Sequence, residues 1–163
     1  MMSRFISLWI TIILVFVLAS CVSAEERLNS KFDTLPQIES TLMYDYSADY
    51  SGATGRCQGT FLDRWYGTGL DAETVSKIYS DGFSGKGWTI WPEEVVEIWS
   101  LEGDDGLYRA RPSVFADPTS VSQEQGSYRL PDAVFRELSH YRTVYLISMT
   151  YRSSSAAKRC FGK

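Results

Sequence analysis

Histidine and cysteine are scarce in this sequence: of 163 residues, one is histidine and three are cysteine. The histidine is His140, and Cys21, Cys57 and Cys160 stand far apart along the chain. A structural zinc site needs about four ligands, usually in closely spaced pairs of Cys or His. The sequence therefore predicts no metal site, and nothing in it indicates a cofactor.

Recognisable catalytic motifs are missing as well. There is no G-x-S-x-G nucleophile elbow, and Gly85-Lys86 is followed by Gly87 where a phosphate-binding loop needs Ser or Thr. A Ser-His-acid triad would have to use His140, but the side chains of Ser139 and His140 are sequence neighbours and point apart on a helix end. We interpret His140 as a surface or helix-terminal residue. The sequence favours a non-enzymatic function.

Clusters of basic residues are also absent. Beyond Arg4, 15 basic and 20 acidic residues leave a net charge of −5, and no basic run of five occurs. Nucleic-acid binding is disfavoured, because contacts to phosphates need clustered Lys and Arg. The acidic pairs Glu93-Glu94 and Asp104-Asp105 lack the spacing of a calcium loop, and we interpret them as solvated turn charge.

The amino terminus has the pattern of a signal peptide. Arg4 precedes an apolar run of 14 residues, Phe5 to Leu18, which fits the hydrophobic region of a signal peptide. A membrane-spanning helix needs about 20 residues. An uncleaved anchor stays an alternative if residues 19–24 are counted in. A second alternative is a secreted, soluble protein cut after Ala24, with Val22 and Ala24 as the small residues before the cut.

The end of the apolar run, Leu18-Ala19-Ser20-Cys21, resembles the lipobox of bacterial lipoproteins. The resemblance implies that Cys21 receives a diacylglyceryl group and that residues 1–20 are removed as the signal peptide. The new amine is usually acylated too, with palmitate as the expected modification. Val22 follows, rather than the Asp that retains lipoproteins at the inner membrane. The resemblance thus implies a cell-envelope protein on the outer membrane, or on the outer face of the plasma membrane if there is no outer one.

Lipidation of Cys21 would leave two unmodified cysteines, which is an even number. Cys57 and Cys160 can then form a disulfide bond in an oxidising compartment. The alternative is that both are unpaired, buried thiols that pack as small apolar groups. We expect the disulfide.

The remaining chain divides into a polar segment and one folded domain. Residues 21–34 contain few large apolar residues and no sustained period, and we interpret them as a lipidated terminus with a flexible tether. Residues 35–163 are predicted to form a single domain. Near its end, the small polar residues 152–159 are predicted to be a loop.

Hydrophobic periodicity predicts an α+β domain. The helix Ala72–Ser84 is the clearest element, because Val75, Ile78, Tyr79 and Phe83 share one face and Asp71 is a suitable N-cap. A short second helix follows Pro131. The predicted strands are Leu42–Ser47, Arg56–Thr68, Val95–Glu102, Leu107–Phe115 and, at the centre of the sheet, Thr143–Ser153.

These elements suggest a mostly antiparallel sheet of five to six strands with the main helix packed on one face. The pattern is similar to small uncharacterised domains of secreted bacterial lipoproteins. In those domains, a Cys-bearing strand leads through Tyr-Gly-Thr into a helix and then Gly-Trp. Here the matching residues are Cys57, Tyr66-Gly67-Thr68 and Gly87-Trp88. The resemblance implies no particular activity.

Tryptophan is the most informative residue type in the domain. Trp88, Trp91 and Trp99 lie within twelve residues, and Arg109 and Arg111 alternate with less polar residues on the next strand. On an exposed face they would form a site for a small molecule, sugar or peptide. The alternative is that the Trp side chains form the core beneath the helix. We therefore expect a lipid-anchored binding or interaction domain, whose partner is an envelope protein or a small ligand.

Overall fold

The computed structural model describes residues 22–51, 57–90 and 97–161, and over these ranges it has an α+β fold. The helices are α1 (Ala24–Phe32), α2 (Ala72–Gly85), α3 (Asp132–Glu137) and α4 (Ser154–Phe161). The strands are β1 (Thr41–Ser51), β2 (Gln58–Thr68), β3 (Thr89–Ile90), β4 (Trp99–Gly103), β5 (Gly106–Phe115), β6 (Glu124–Gln125), β7 (Tyr128–Arg129) and β8 (Thr143–Ser153). This confirms the predicted fold class.

Six strands form one antiparallel sheet in the order β1-β2-β8-β5-β4-β3. The apolar strand β8 pairs with β2 on one side and β5 on the other, so the prediction that it is central is confirmed. The strands β4 and β5 form an antiparallel hairpin around residues 103–106. A separate hairpin, β6–β7, lies in the connection between β5 and β8.

One face of the sheet, called here the helix face, is covered by α1 and α2. Alternate residues of β8 point to this side, because side chains alternate along a strand. Tyr145, Ile147 and Met149 pack there with Val75 and Phe83 of α2 in one buried cluster. Asp71 caps α2 as predicted, since its carboxylate accepts a hydrogen bond from the Thr74 backbone N–H at 2.8 Å.

The opposite side of the sheet, called here the open face, is only partly covered. The chain between β5 and β8 folds back over one end of this face and builds a second buried cluster, comprising Trp65, Val121, Leu130, Leu138 and Val144. Beyond this cluster, towards the carboxyl end of β8, the open face is lined by polar side chains.

The prediction of a flexible tether over residues 21–34 is wrong for Ala24–Phe32, which form α1. Ser23 and Glu26 make a capping box, each side chain accepting a hydrogen bond from the other's backbone N–H. Leu28 and Phe32, four residues apart, are 0% and 4% exposed and belong to the helix-face core. Two apolar side chains are too few for a sustained periodic signal, but both lie on the side that contacts the sheet.

A polar contact also ties α1 to the sheet. The Arg27 guanidinium donates to the Asp105 carboxylate in the β4–β5 turn, and the Tyr108 hydroxyl donates to the same carboxylate at 2.8 Å. The helix therefore belongs to the folded domain, which begins well before residue 35.

The predicted loop over residues 152–159 is also wrong. Residues 152 and 153 end β8, and residues 154–159 lie in α4. There Ala156 is buried, and its backbone N–H donates to the Ser153 hydroxyl at 3.4 Å. Small residues are compatible with a helix that packs closely against a sheet. The interpretation as a loop relied on composition alone.

The expected disulfide is present. Cys57 and Cys160 are bonded, with an S–S distance of 2.09 Å and a Cα–Cα distance of 4.8 Å. The bond joins the residue before β2 to the carboxyl-terminal helix α4. It closes a long loop, and it holds α4 against the sheet.

Candidate functional site

The candidate site is a cleft on the open face of the sheet. The strand register brings its side chains together: Arg109 and Arg111 of β5 lie opposite Thr150 and Ser148 of β8. On the other side of β8, Phe61 and Asp63 of β2 lie opposite the same two residues. Because these strands are antiparallel and adjacent, the six residues share one face.

The cleft has a volume of ≈520 Å³. The tip of the β6–β7 hairpin forms one wall, and its turn uses Gly126 at a φ of 66°, a conformation that favours glycine. The lining residues are Tyr50, Phe61, Asp63, Ile98, Arg109, Ala110, Arg111, Gln125, Gly126, Ser127, Ser148, Thr150 and Arg152. The volume is within the roughly 300–1,000 Å³ typical of small-molecule sites.

Asp63 is the buried polar centre of the site, with 8% of its surface exposed. Its carboxylate accepts hydrogen bonds from the Ser148 hydroxyl at 2.5 Å and from the Tyr128 hydroxyl at 3.0 Å. The indole N–H of Trp65 donates in turn to the Tyr128 oxygen at 2.8 Å. Burial raises the pKa of the Asp63 carboxyl, while the bonds from Ser148 and Tyr128 partly oppose this. The network attaches the β6–β7 hairpin to the sheet and fixes that wall of the cleft.

The described lining of the cleft includes three arginines, which supply positive charge. Arg111 is exposed, whereas Arg109 and Arg152 are half-buried. The Arg152 Nε–H donates to the Tyr50 hydroxyl at 2.7 Å, and its guanidinium carbon lies 5.4 Å from the centre of the Tyr50 ring. The hydrogen bond and the ring contact hold this guanidinium at the β1 side of the cleft.

The proposed site for a ligand on Trp88 and Trp99 is wrong. Each is 3% exposed and lies in the helix-face core. The Phe83 ring stacks on Trp99 at a centroid distance of 5.5 Å and meets Trp88 edge-on at 5.3 Å. Trp99 pairs with Ala110, which belongs to the same buried helix-face cluster. Trp91 lies outside the described residues.

The two predicted arginines, by contrast, are at the cleft. The sequence reasoning missed Asp63, Ser148 and Arg152, which share it. A signal for two of them was present: Ser148, Thr150 and Arg152 alternate with apolar residues along the otherwise apolar strand β8. That alternation marks one polar side of the strand.

His140 lies away from the cleft, in a short turn after α3. Its side chain is 69% exposed, and its Nδ1 lies 3.3 Å from a Glu137 carboxylate oxygen. The placement agrees with the interpretation of His140 as a surface residue. Among the described residues, those that line the cleft include no histidine or cysteine.

A second open crevice, of ≈560 Å³, lies at the end of the domain where α1 begins. It is bounded by Ala24 of α1, the facing ends of β1 and β2, and Ala156 and Arg159 of α4. Few of its residues carry charge, and it is therefore the weaker candidate for recognising a ligand.

Within residues 22–51, 57–90 and 97–161, no three His, Cys, Asp or Glu side chains cluster closely enough to hold a metal ion. In the same ranges, no helix has the length and apolar character needed to cross a membrane. Cys21 lies just outside the described residues.

In comparisons with known proteins, no family, no curated protein and no solved structure matches this chain.

Proposed function

We propose that the chain is a lipid-anchored protein of the bacterial cell envelope, whose domain binds a ligand in the open-face cleft without catalysing a reaction. The observation that carries the binding function is the cleft itself: ≈520 Å³, with three arginines, aromatic walls and a hairpin fixed by the Asp63 network. The anchor rests on Leu18 to Cys21, which have the lipobox pattern.

The start of α1 supports cleavage before Cys21 over cleavage after Ala24. A cut after Ala24 would remove Ser23, the N-cap of α1, and would break its capping box with Glu26. Loss of such a cap costs about 1 kcal/mol. It would also place a positive amine at the helix amino terminus, which the helix dipole disfavours. A cut before Cys21 leaves the cap intact.

The short connection to α1 determines how the domain would sit on the membrane. Only Val22 and Ser23 stand between Cys21 and Ala24. Three residue steps span at most about 10 Å. A lipidated Cys21 would therefore hold the end of the domain that carries α1 and α4 close to the lipid surface, and the anchor would leave little freedom for movement.

The anchor is tested by intact-mass measurement of the chain from the membrane fraction, for wild type and Cys21→Ala. The wild-type mass should correspond to a chain that starts at Cys21 and carries lipid. The variant should lose the lipid and leave the membrane fraction. A mature chain that starts at Glu25, or that retains residues 1–20, contradicts the anchor.

The binding function is tested by hydrogen–deuterium exchange of the full chain in mild detergent, with the low-molecular-mass fraction of an envelope extract. The reporter is the hairpin wall, residues 122–130, and the exposed helix α3, residues 132–137, is the internal control. Slower exchange confined to the hairpin supports binding in the cleft. Unchanged exchange, or equal slowing of both segments, contradicts it.

A further inference from the structure

The described lining of the cleft contains three arginines and one carboxyl group, whereas the chain beyond Arg4 carries a net charge of −5. We propose that the cleft binds a small organic anion, in which a carboxylate or phosphate group is joined to an apolar body. This inference rests on the proposed function, since it names the chemical class of the ligand for the same site.

The described lining residues carry three positive side chains and one carboxyl group. Arg109 and Arg111 are two residues apart on β5, so their backbones are separated by about 7 Å on one face. Arg152 enters from β8, the neighbouring strand. Two or more arginines that line one cleft of this size can bind the same anionic group from different sides. A single planar guanidinium group can also donate two parallel hydrogen bonds to two oxygens of a carboxylate or phosphate.

Asp63 does not cancel this positive charge effectively. Both of its carboxylate oxygens accept hydrogen bonds from hydroxyl groups, those of Ser148 and Tyr128, rather than from a guanidinium. Burial also raises the pKa of Asp63, which favours the neutral form relative to an ordinary aspartate. The net contribution of the described lining to the potential of the cleft is therefore positive.

The remaining lining fits the apolar part of such a molecule. Phe61, Ile98 and the Tyr50 ring provide apolar surface beside the arginines. Thr150, between Phe61 and Arg109 in the register, adds a hydroxyl group to the lining. A purely inorganic anion would leave this surface unused.

The occupant is a small molecule and not a polyanion. A nucleic acid would meet a chain that carries a net charge of −5 beyond Arg4, and the repulsion would oppose binding outside the cleft. A small anion would contact the arginines of the cleft and little of the acidic surface outside it.

The experiment is isothermal titration calorimetry, which measures the affinity of the full chain in mild detergent for four probes: phenyl phosphate, benzoate, inorganic phosphate and benzyl alcohol. At least one of the two aromatic anions should bind at least tenfold more tightly than benzyl alcohol, which has the same ring and no charge. The better aromatic anion identifies the preferred group. Phenyl phosphate should also bind more tightly than inorganic phosphate if it is the preferred probe.

The matched variants are Arg111→Gln in the cleft and Arg136→Gln on α3, which remove the same charge. Both side chains are exposed, so neither change should disturb folding, and thermal melting checks this. Arg111→Gln should weaken binding of the preferred anion by about tenfold, while Arg136→Gln should leave it within about twofold. Equal binding of the anions and the alcohol, or equal effects of the two variants, overturns the proposal.

The result can be separated from a failure of the proposed function. If the envelope extract slows exchange of the hairpin but none of the anionic probes binds, the cleft binds a ligand of another class and this inference is wrong. If the anions bind and the mature chain carries no lipid, only the envelope anchor fails.

Discussion

Leu28→Ala tests whether α1 belongs to the core of the domain. The Leu28 side chain is 0% exposed and packs in the helix-face cluster. Removing a fully buried leucine side chain costs about 2–5 kcal/mol, because apolar burial is lost and a cavity forms. With a urea dependence of about 2 kcal/mol per molar for a domain of this size, the unfolding midpoint should fall by about 1–2.5 M.

The assay is equilibrium urea unfolding of the full chain in mild detergent, followed by tryptophan fluorescence. The probe is suitable because Trp65, Trp88 and Trp99 are buried on both sides of the sheet. The matched control is Leu42→Ala, the same chemical change at a side chain that is 50% exposed on the edge strand β1. It should shift the midpoint much less.

Two outcomes would refute the reasoning. One is an equal midpoint shift for the two variants, since α1 would then add no more to stability than an exposed side chain. The other is an unfolding midpoint for Leu28→Ala, followed by tryptophan fluorescence, that stays at the wild-type value. Either would restore the flexible tether that the sequence pattern suggested.

Three further predictions concern the disulfide, the buried carboxyl and a close contact. The bond between Cys57 and Cys160 spans 103 residues, so reducing it should lower the free energy of unfolding by about 4–5 kcal/mol. Urea unfolding with and without reductant measures this, and a loss below about 1 kcal/mol contradicts the prediction. Because burial raises the folded-state pKa of Asp63, its ionisation disfavours folding, so wild type should gain stability relative to Asp63→Asn as the pH falls from about 7 to 4. Urea midpoints across that range measure the difference, and a constant or reversed difference shows that the carboxyl is not destabilised by burial. Gly67→Ala would place a Cβ in steric overlap with the Tyr141 ring and should cost about 1–3 kcal/mol, whereas Gly69→Ala meets no atom within 4 Å and should be nearly neutral. Equal melting temperatures of the two variants would contradict the packing.

Long elements with a regular pattern were predictable from the sequence. The α2 helix has four apolar residues at helical spacing and an N-cap, and both features act locally, so they can be read without the rest of the chain. The central position of β8 followed from its apolar character, because a strand paired on both sides is buried. The α1 helix was missed, because Leu28 and Phe32 are meaningful only when a sheet is present for them to cover.

The candidate site shows the same division. Arg109 and Arg111 were found because they alternate along one strand, which is a local pattern. Asp63 was missed, because its role depends on Ser148 and Tyr128, which are 85 and 65 residues away in the sequence. The face to which Trp99 points was equally undetermined, since alternation defines two sides of a strand but not which of them a helix covers.

The sequence by itself determined the α+β class, the main helix and the central strand. It favoured a Cys57–Cys160 bond only on the condition that Cys21 is lipidated. Only the tertiary structure decided that α1 packs on the sheet, that two tryptophans are buried beneath α2, and that the arginines of β5 face a cleft with Asp63. The physical reason is that periodicity and capping are set by neighbours along the chain. The partners of a face are set by strand register and by which segments fold over it.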